Sequence, residues 1–543
     1  MKNKKTFDDI GEFRNFPVCD FSKEINRFEM ENALKKVESN FSKFFYPLVI
    51  GDRKIDNGEY IESINPSKKS EAIGKTSTAR KEDIRLAVNE ARKSFYNWKK
   101  TSVEKRAEYL FDVAEQMKQR FFELSAMIVF EAGKNWREAC GDVAESIDFL
   151  NFYGRDFVKN RESRLTQKIL GEENMMNYIP KGIVGVISPW NFPLAILTGM
   201  TSAALIAGNS VIMKPSEETP LIAGELMKMF ENSKLPSGVL NYLPGIGEEA
   251  GSALVNSPDV NMIAFTGSRK VGLNINQKIS QIFYGQKYIR TSVLEMGGKN
   301  GIIIDKTADF DSAVPDALDS AFGYQGQKCS ACSNLIVLDD IYDEFLSRLV
   351  EGAKSLKVGE AKFPGTDVGP IINKESYNKI RNYIQMGKED GRFLLEGKCE
   401  DEKGFYISPT IIEVGRNHVL AKEEIFGPVL SILRAKDFNE AMTIFNSTDY
   451  ALTGGIYSRT PSNIEKFLRD AEVGNRYVNR KITGAIVERQ PFGGFKMSGK
   501  GSKAGCSEYL LEFTYQISNS INTERSGHVP GIENFAKYKK FSN

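Results

Sequence analysis

From residue 180 onward, short apolar runs alternate with longer amphipathic ones. Four apolar runs end in turn-forming residues, GIVGVISP, SVIMKPS, GVLNYLPG and VNMIAFTGS, and helical stretches such as PLIAGELMKMFEN lie between them. Strands that alternate with helices at this interval form parallel sheets covered by helices. Ligands of such sheets bind at the loops that follow the strands. We therefore predict an α/β fold with a site along one sheet edge.

The same pattern restarts after Glu295. NGIIIDK, NLIVLDD and PVLSILRAK are strand-like runs, and IYDEFLSRLVEGAKSL has helical periodicity. This predicts a second α/β unit, and a chain of 543 residues is long enough for two or three domains. Upstream, a helix is predicted over SKEINRFEMENALKKVESNF in an appended segment, and helical patterns run from about 84 to 158.

A stretch without charged residues runs from Gly182 to Met213 and is long enough to suggest a membrane-spanning helix. Prolines, glycines and asparagines interrupt it, so we predict a strand, a turn, a buried helix and a second strand instead. The first residues, MKNKKTFDDIGEFRNF, contain no apolar core of a signal peptide. We therefore expect neither a secretory signal nor a membrane anchor.

Charge and cysteine usage narrow the class of partner and the compartment. Lysine and arginine total 73 against 71 aspartate and glutamate residues, so no polycationic field for nucleic acid is expected. The six cysteines are thinly scattered, unlike those of a secreted disulfide scaffold. A reducing, cytoplasmic location is predicted.

Cys329 and Cys332 lie three residues apart in the polar stretch FGYQGQKCSACSN. A zinc site would need two more ligands, yet the chain has two histidines, His418 and His528, and no second cysteine pair at that spacing. A redox dithiol would be expected just after a strand near the start of a small domain. One nucleophilic cysteine remains the functional interpretation, and a small buried packing residue is the alternative.

Because histidines are scarce, a general base in this chain has to be a carboxylate. Glu295 stands in the apolar context SVLEMGGKN, where burial would raise its pKa toward neutrality. The alternative is a strand-end glutamate that faces water.

FTGSRKVG follows a strand-like run and opens a helix, so its backbone amides are placed for a pyrophosphate, although a plain tight turn fits equally well. PGIGEEAG and GFKMSGKG match nucleotide-binding loops less well. In the first a proline stands where the turn should begin, and in the second Gly501 replaces a magnesium-binding hydroxyl.

Seven motifs occur in one order: SPWNFP, KPSEETP, FTGS, LEMGGK, FGYQGQKCSACS, EEIFGPV and PFGGFKMSG. Over residues 45 to about 520 the chain therefore resembles the NAD(P)-dependent aldehyde dehydrogenases. The resemblance implies that Cys329 attacks the aldehyde carbonyl, that Glu295 activates the water that hydrolyses the thioester, and that Asn191 and the Cys329 N–H stabilise the oxyanion. Cys332 would be a bystander.

The resemblance also implies a cofactor site and no metal. Lys214 and Glu217 would hold the adenosine ribose, and the carboxylate of Glu217 would favour NAD over NADP by repelling a 2′-phosphate. The cofactor-binding residues implied in this way are Ile187, Ser188, Pro189, Trp190, Lys214, Glu217, Gly267, Ser268, Glu424 and Phe426.

Within this family, EAGKNWREACGDVAESIDF, FGYQGQKCSACS and NRKITGAIVERQPFGGFKMSGKGSKAG resemble the members that oxidise L-glutamate γ-semialdehyde. In those enzymes a glycine-containing loop presents backbone amides to the substrate α-carboxylate. The substrate-binding residues implied are Thr483, Gly484, Ala485, Ser330, Phe492, Phe192 and Glu131, the last for the ammonium group. Three alternatives stay open: another semialdehyde, CoA-dependent acyl transfer, and a binding or structural protein without catalysis.

The implied architecture is a Rossmann-like NAD-binding domain, an α/β catalytic domain and a β-flap oligomerisation element. Homo-oligomers of at least two chains, and a small-molecule aldehyde as the other partner, follow from it. The predicted segments are 1–44 (N-terminal extension), 45–160 and 180–296 (NAD-binding domain), 297–487 (catalytic domain), 161–179 and 505–525 (flap), and 526–543 (C-terminal tail).

Overall fold

The computed structural model describes residues 11–160, 163–167 and 169–523, so the predicted tail, 526–543, lies outside the described residues. Within them, helices and strands alternate along most of the chain. The α-helices are Glu24–Glu38, Lys81–Trp98, Val103–Gln119, Phe121–Ala132, Trp136–Asn160, Ala195–Ile206, Pro220–Asn232, Ser252–Asn256, Arg269–Ile279, Phe310–Phe322, Tyr342–Lys354, Lys374–Asp390, Val419–Lys422, Phe438–Phe445 and Pro461–Asp470.

The first large sheet has eight strands, and its five central strands are parallel. They carry the apolar runs predicted as strands, which are almost wholly buried because helices cover the sheet. In spatial order the strands are Gly499–Lys500, Thr291–Glu295, Met262–Thr266, Ile183–Ile187, Ser210–Lys214, Leu240–Tyr242, Leu48–Ile50 and Arg53–Ile55.

The second large sheet has seven strands and confirms the predicted second α/β unit. Its strands are parallel except for Arg392–Leu395, which pairs antiparallel at one edge. In spatial order they are Arg392–Leu395, Thr410–Glu413, Val429–Ala435, Cys332–Leu338, Asn300–Ile304, Thr453–Tyr457 and Asn475–Val478.

The uncharged stretch from Gly182 to Met213 folds as predicted, into strand, turn, helix and strand. Its helix, Ala195–Ile206, is buried almost all round between the first sheet and other helices, which explains its apolar composition. Among the described residues, no helix has both the length and the apolar character needed to cross a membrane.

The N-terminal segment packs into the body of the molecule. The predicted helix is confirmed as Glu24–Glu38, and its Met30, Leu34 and Val37 are buried in the largest core cluster. Ahead of it, the ring of Phe13 packs edge-on against Phe152 with centroids 5.3 Å apart.

A three-stranded antiparallel sheet stands apart from the two large ones. It contains Thr514–Asn522, Glu172–Pro180 and Ser163–Leu165, which confirms that residues near 161–179 pair with a strand after 505. Smaller sheets join Phe44–Tyr46, Ala72–Ser77 and Tyr60–Ile64; Cys399–Glu400 and Tyr406–Ile407; and Tyr450–Ala451 and Phe495–Lys496. The domain division given above stays a prediction.

Candidate active site

Four of the predicted catalytic or ligand-binding residues lie at the carboxyl ends of neighbouring strands in the first sheet. Three of them, Ile187, Lys214 and Glu295, are the last residues of their strands, and Gly267 directly follows a strand. Ile187 pairs with Lys214 across one strand pair, and Thr266 pairs with Glu295 across another. Gly267 directly follows Thr266. Because these strands are parallel neighbours, their carboxyl ends meet at one edge, as the strand pattern predicts.

The predicted nucleophile lies instead at the amino edge of the second sheet. Cys329 is in a turn that precedes the strand Cys332–Leu338. Asn300, the first residue of the neighbouring strand, donates hydrogen bonds to the carbonyls of Cys329 (2.7 Å) and Ala331 (2.9 Å). Its side-chain oxygen accepts the N–H of Thr453, which opens a third strand. One buried amide therefore fixes the turn to three strands.

The two edges meet where the Cys329 thiol is hydrogen-bonded to the Glu295 carboxyl group. Burial raises the pKa of Glu295 to about 8, although the hydrogen bond from Cys329 favours its charged form. Burial and the neighbouring Glu295 carboxyl group raise the pKa of the Cys329 thiol well above its ordinary value. Glu295 Oε1 is buried and has no hydrogen-bond partner within the described part of the chain, so it is free to accept a proton.

Cys332 differs from Cys329 although it lies three residues away. It is 2% exposed, its thiol donates to the carbonyl of Asn334, and burial raises its pKa to about 12. In the described ranges, no group of three or more histidine, cysteine or acidic side chains is placed to hold a metal ion. Cys332 is therefore a packing residue of the second sheet.

A cavity of about 130 Å³ opens beside Cys329 and Glu295. It brings together most of the residues predicted to bind substrate, although they come from distant parts of the sequence. The lining includes five residues that are predicted to bind substrate, Phe192, Ser330, Gly484, Ala485 and Phe492. It also includes Glu145, Phe149, Ile196, Met200, Phe265, Thr266, Leu294, Ser502 and Tyr509.

The prediction that Glu131 contacts the substrate is wrong. Glu131 is fully buried and is not among the cavity-lining residues. Its carboxylate accepts the N–H groups of Leu221 (2.7 Å) and Ile222 (2.9 Å) in the first turn of a helix, and the Ser63 hydroxyl donates to it. Helix N-termini attract carboxylates in this way, so Glu131 stabilises a helix of the first unit.

Glu145 is the cavity-lining carboxyl group that the sequence reasoning missed. It lies on the helix Trp136–Asn160, one turn before Phe149, which lines the same cavity. Burial and the nearby Asp142 raise its pKa to about 8. The i, i+4 spacing of an acidic and an aromatic residue on one buried helix is the signal that could have revealed it.

A buried ion pair supports the wall formed by Phe192. The Lys134 ammonium lies 3.6 Å from the centroid of the Phe192 ring and 2.9 Å from a carboxylate oxygen of Asp142, and both charged side chains are fully buried. Asp142 in turn accepts the N–H of Ala195, 2.7 Å away, at the start of the next helix. Ring and helix are thus held by one pair of charges.

Asn191 lies against the nucleophile turn. Its side-chain amide, which is buried, donates to the carbonyl of Gln327, 3.0 Å away and two residues before Cys329. A carboxamide has a second N–H, which leaves one donor for an oxyanion formed near Cys329.

The loop predicted to bind the substrate carboxylate borders the cavity at Gly484 and Ala485. Gly484 has φ +73°, a left-handed conformation that glycine adopts at little cost. Thr483 before it is buried.

Lys214 and Glu217, which are predicted to hold the adenosine ribose, form an ion pair at the carboxyl edge of the first sheet. The ammonium of Lys214 lies 3.0 Å from the carboxylate of Glu217, and although burial opposes the charge of Glu217, Lys214 holds its pKa below the usual value. The hydroxyl of Ser188, next to Pro189, is buried and has no partner among the described residues. Such an unsatisfied group suits a polar ligand.

Gly267 and Ser268, which are predicted to bind a pyrophosphate, lie between the strand Met262–Thr266 and the helix Arg269–Ile279. A Cβ atom at Gly267 would lie 2.6 Å from the ring of Phe265, so a larger residue here would have to displace that ring. Ser268 caps the helix Arg269–Ile279 by accepting the N–H of Val271. A capped helix start at a sheet edge is suited to an anion.

Glu424 and Phe426 lie in a loop between the helix Val419–Lys422 and the strand Val429–Ala435. Glu424 accepts the N–H of Gly298, 3.0 Å away, and burial raises its pKa. Phe426 has φ +62° and packs edge-on against Trp190, with ring centroids 5.5 Å apart. The loop that carries Glu424 and Phe426 therefore contacts residues that follow two strands of the first sheet, Thr291–Glu295 and Ile183–Ile187.

Comparison with known proteins agrees with this geometry. Residues 54–518 match the model of the aldehyde dehydrogenase family. The chain is 47% identical over 503 residues to a 1-pyrroline-5-carboxylate dehydrogenase of Geobacillus sp. (strain WCH70), covering 92% of this chain and 98% of that one. It also resembles the solved structure of 1-pyrroline-5-carboxylate dehydrogenase from Thermus with bound NAD (42% identity, TM-score 0.93, 95% and 100% covered).

A second solved structure is proline utilization A (PutA) from Bdellovibrio bacteriovorus, with 42% identity and a TM-score of 0.94. The match covers 96% of this chain and 54% of PutA, so this chain spans about half the length of that protein. With a family model over most of its length and relatives above 40% identity, this chain belongs to the aldehyde dehydrogenase family.

Proposed function

We propose that this protein oxidises L-glutamate γ-semialdehyde, which forms from 1-pyrroline-5-carboxylate by hydration and ring opening, to L-glutamate with reduction of NAD. The observation that carries the proposal is one cavity bordered by Cys329, Glu295 and the loop at Gly484 and Ala485. A nucleophile, a base and a carboxylate-binding loop are the parts that this reaction needs. The similarity to 1-pyrroline-5-carboxylate dehydrogenases, one of them with bound NAD, supports the choice of substrate and cofactor.

The first step forms a bond between the sulfur of Cys329 and the aldehyde carbon. The thiol loses its proton to the hydrogen-bonded Glu295, directly or through water, and the carbonyl electron pair moves onto oxygen. Asn191 and the Cys329 N–H donate to that oxygen. Loss of one such donor typically costs about 2.7 to 4 kcal/mol of transition-state stabilisation.

The second step breaks the carbon–hydrogen bond and leaves a thioester on Cys329. When bound, NAD supplies the acceptor for the hydride and is reduced to NADH. Glu295 passes the thiol proton to solvent and, once ionised, removes a proton from water; the water oxygen adds to the acyl carbon, and the sulfur leaves as thiolate while the carboxylic acid forms. A carboxyl group with a pKa near 8 is well suited to this role near neutral pH.

Substrate recognition is assigned to three groups of residues. The amides of Gly484 and Ala485, with the Ser330 hydroxyl, receive the α-carboxylate. Glu145 is the proposed partner of the ammonium group, in place of Glu131, since its carboxyl group borders the cavity. Phe192 and Phe492 enclose the aliphatic carbons.

The chain's own residues fit NAD. Lys214 and Glu217 would hold the adenosine ribose, Gly267 and Ser268 the pyrophosphate, and Glu424 the nicotinamide ribose. The unsatisfied hydroxyl of Ser188 and the close approach at Gly267 support this assignment. The other predicted cofactor-binding residues are Ile187, Pro189, Trp190 and Phe426.

We also propose a homo-oligomer and a cytoplasmic location. The strand Thr514–Asn522 lies at one end of its described sheet and exposes Ile517 and Ile521, as expected of a surface that pairs with a second chain. All six cysteines are free, which suits a reducing compartment. The predicted domains, with the two large sheets as their cores, are part of the same proposal.

Steady-state NADH formation with three aldehydes of equal length tests the substrate. We compare 1-pyrroline-5-carboxylate with 5-oxopentanoate, which lacks the amino group, and pentanal, which lacks both ionic groups. Each lost charged contact is expected to lower kcat/KM by about tenfold or more. Glu145→Gln should lower kcat/KM for the substrate with the amino group, and kcat/KM for 5-oxopentanoate should stay unchanged. Equal kcat/KM for all three aldehydes would contradict the proposal.

A further inference from the structure

The segment ahead of the first helix reaches the back of the substrate cavity. Residues 11–23 cross the helix Trp136–Asn160, where Phe21 packs against Trp136 with ring centroids 5.3 Å apart. Phe16 packs against Phe121 at 5.2 Å. These contacts place Asn15 between that helix and the loop that follows Ala485.

Asn15 joins the two elements through one side chain. Its amide nitrogen lies 2.9 Å from a carboxylate oxygen of Asp148 and 2.9 Å from the carbonyl oxygen of Val487, and it donates to both. The next residue, Phe16, donates its N–H to the other carboxylate oxygen of Asp148. Since Val487 is buried, water cannot easily replace Asn15 as its partner.

The peptide group held by Asn15 leads into a residue with an unfavourable backbone conformation. It connects Val487 to Glu488, whose φ of +68° is uncommon for a residue with a side chain. The N–H of the same peptide group donates to the carbonyl of Gly505, 2.8 Å away. Asn15 and Gly505 therefore hold both ends of the peptide group that sets the turn, and such conformations persist only when their surroundings fix them.

Both elements joined by Asn15 form walls of the cavity. The helix contributes Glu145 and Phe149, which flank Asp148 in the sequence. The loop contributes Gly484 and Ala485 before the strained turn and Phe492 after it. A change at Asn15 would thus alter the distance between the proposed ammonium partner and the proposed carboxylate-binding amides.

We propose that Asn15 is a positioning residue for substrate recognition, which sets the carboxylate-binding loop against the helix that carries Glu145. This inference rests on the proposed function, because it assigns the loop to the α-carboxylate. Asn15 does not touch the reacting atoms, so it acts on the affinity for a charged substrate and not on the chemistry at Cys329.

Asn15→Ala is tested with 1-pyrroline-5-carboxylate and with pentanal. We expect kcat/KM for the first to fall by about three- to tenfold, mostly through KM, because one buried hydrogen-bonding residue is lost. For pentanal, kcat/KM should stay unchanged. The matched control is Asn26→Ala in the helix Glu24–Glu38 that follows this segment, since Asn26 donates locally, to the carbonyl of Asp20. Hydrogen exchange of residues 484–492 should rise in Asn15→Ala and not in Asn26→Ala.

The two proposals fail in different ways. If the unaltered protein does not prefer 1-pyrroline-5-carboxylate over pentanal, the proposed function fails. If the preference exists and Asn15→Ala leaves both KM and loop exchange unchanged, the role of Asn15 is refuted. An equal loss for both aldehydes, with increased exchange throughout the molecule, would mean general destabilisation and would also overturn the positioning role.

Discussion

The two large sheets contribute to the site with opposite ends. The first sheet presents the carboxyl ends of its strands, at Ile187, Lys214 and Glu295, where helix starts such as that at Ser268 attract anions. The second sheet presents the amino ends of its strands, and Cys329 precedes one of them. A sheet edge where helices begin is suited to binding a dinucleotide. A sheet edge where strands begin instead provides rigid turns that fix the position of a side chain.

The difference has an electrostatic consequence. No described helix begins at Cys329, so the thiol gains nothing from a helix N-terminus, which lowers the pKa of many reactive cysteines. Instead, burial and the Glu295 carboxyl group raise the pKa of the Cys329 thiol. The second sheet therefore fixes the nucleophile in space, and the first sheet has to supply the group that takes its proton.

The largest expected effect separates Cys329 from Cys332 at the amino edge of the second sheet. Cys329→Ala should abolish NADH formation, because no sulfur remains to bond the aldehyde carbon. Cys332→Ala is the matched control and should retain activity, at a cost of about 1 kcal/mol in the free energy of unfolding from lost packing. Steady-state assays and thermal unfolding measure both. Loss of activity in Cys332→Ala alone would break the comparison between the two positions.

The next effect concerns the carboxyl edge of the first sheet. With a pKa raised to about 8, Glu295 is mostly protonated at pH 6.5 and mostly ionised at pH 9, and only the ionised form accepts a proton from water. Thioester hydrolysis should therefore accelerate through this range by about tenfold or more. Rapid-quench measurement of thioester decay checks this. A rate independent of pH would remove Glu295 as the base.

The smallest of the three effects tests whether the carboxyl edge of the first sheet determines the preference for NAD over NADP. Glu217→Gln removes the charge that would repel a 2′-phosphate, and kcat/KM with NADP relative to NAD should rise. Because the Glu217 side chain is 39% exposed, solvent screening limits the gain to about tenfold. An unchanged ratio would place the discrimination elsewhere.

The same contrast explains which parts could be predicted from sequence. Strand runs that end at Ile187 and Lys214 predicted the first edge, because ligand loops follow parallel strands. Cys329 lies before its strand, so this rule does not reach it, and the seven ordered motifs were needed. Glu295 was found because histidines are scarce, which left carboxylates as candidate bases.

Glu131 and Glu145 show where sequence reasoning failed. Both lie in one quoted segment, and periodicity does not say which of two buried helices faces the cavity. The break between these helices occurs at Gly133, whose φ of +64° redirects the chain. Asn15 was out of reach for a different reason, since it lies 472 residues before Val487 and carries no motif.

The central claim is that the Cys329 sulfur forms the acyl bond and that Glu295 releases it. Peptide mass spectrometry of Glu295→Gln, quenched after mixing with NAD and 1-pyrroline-5-carboxylate, tests both parts at once. We expect one burst of NADH, slower than in the unaltered protein because the thiol must then lose its proton to water, and a glutamyl adduct on Cys329 with none on Cys332. An adduct on Cys332, or a linear turnover without any adduct, would contradict the central claim.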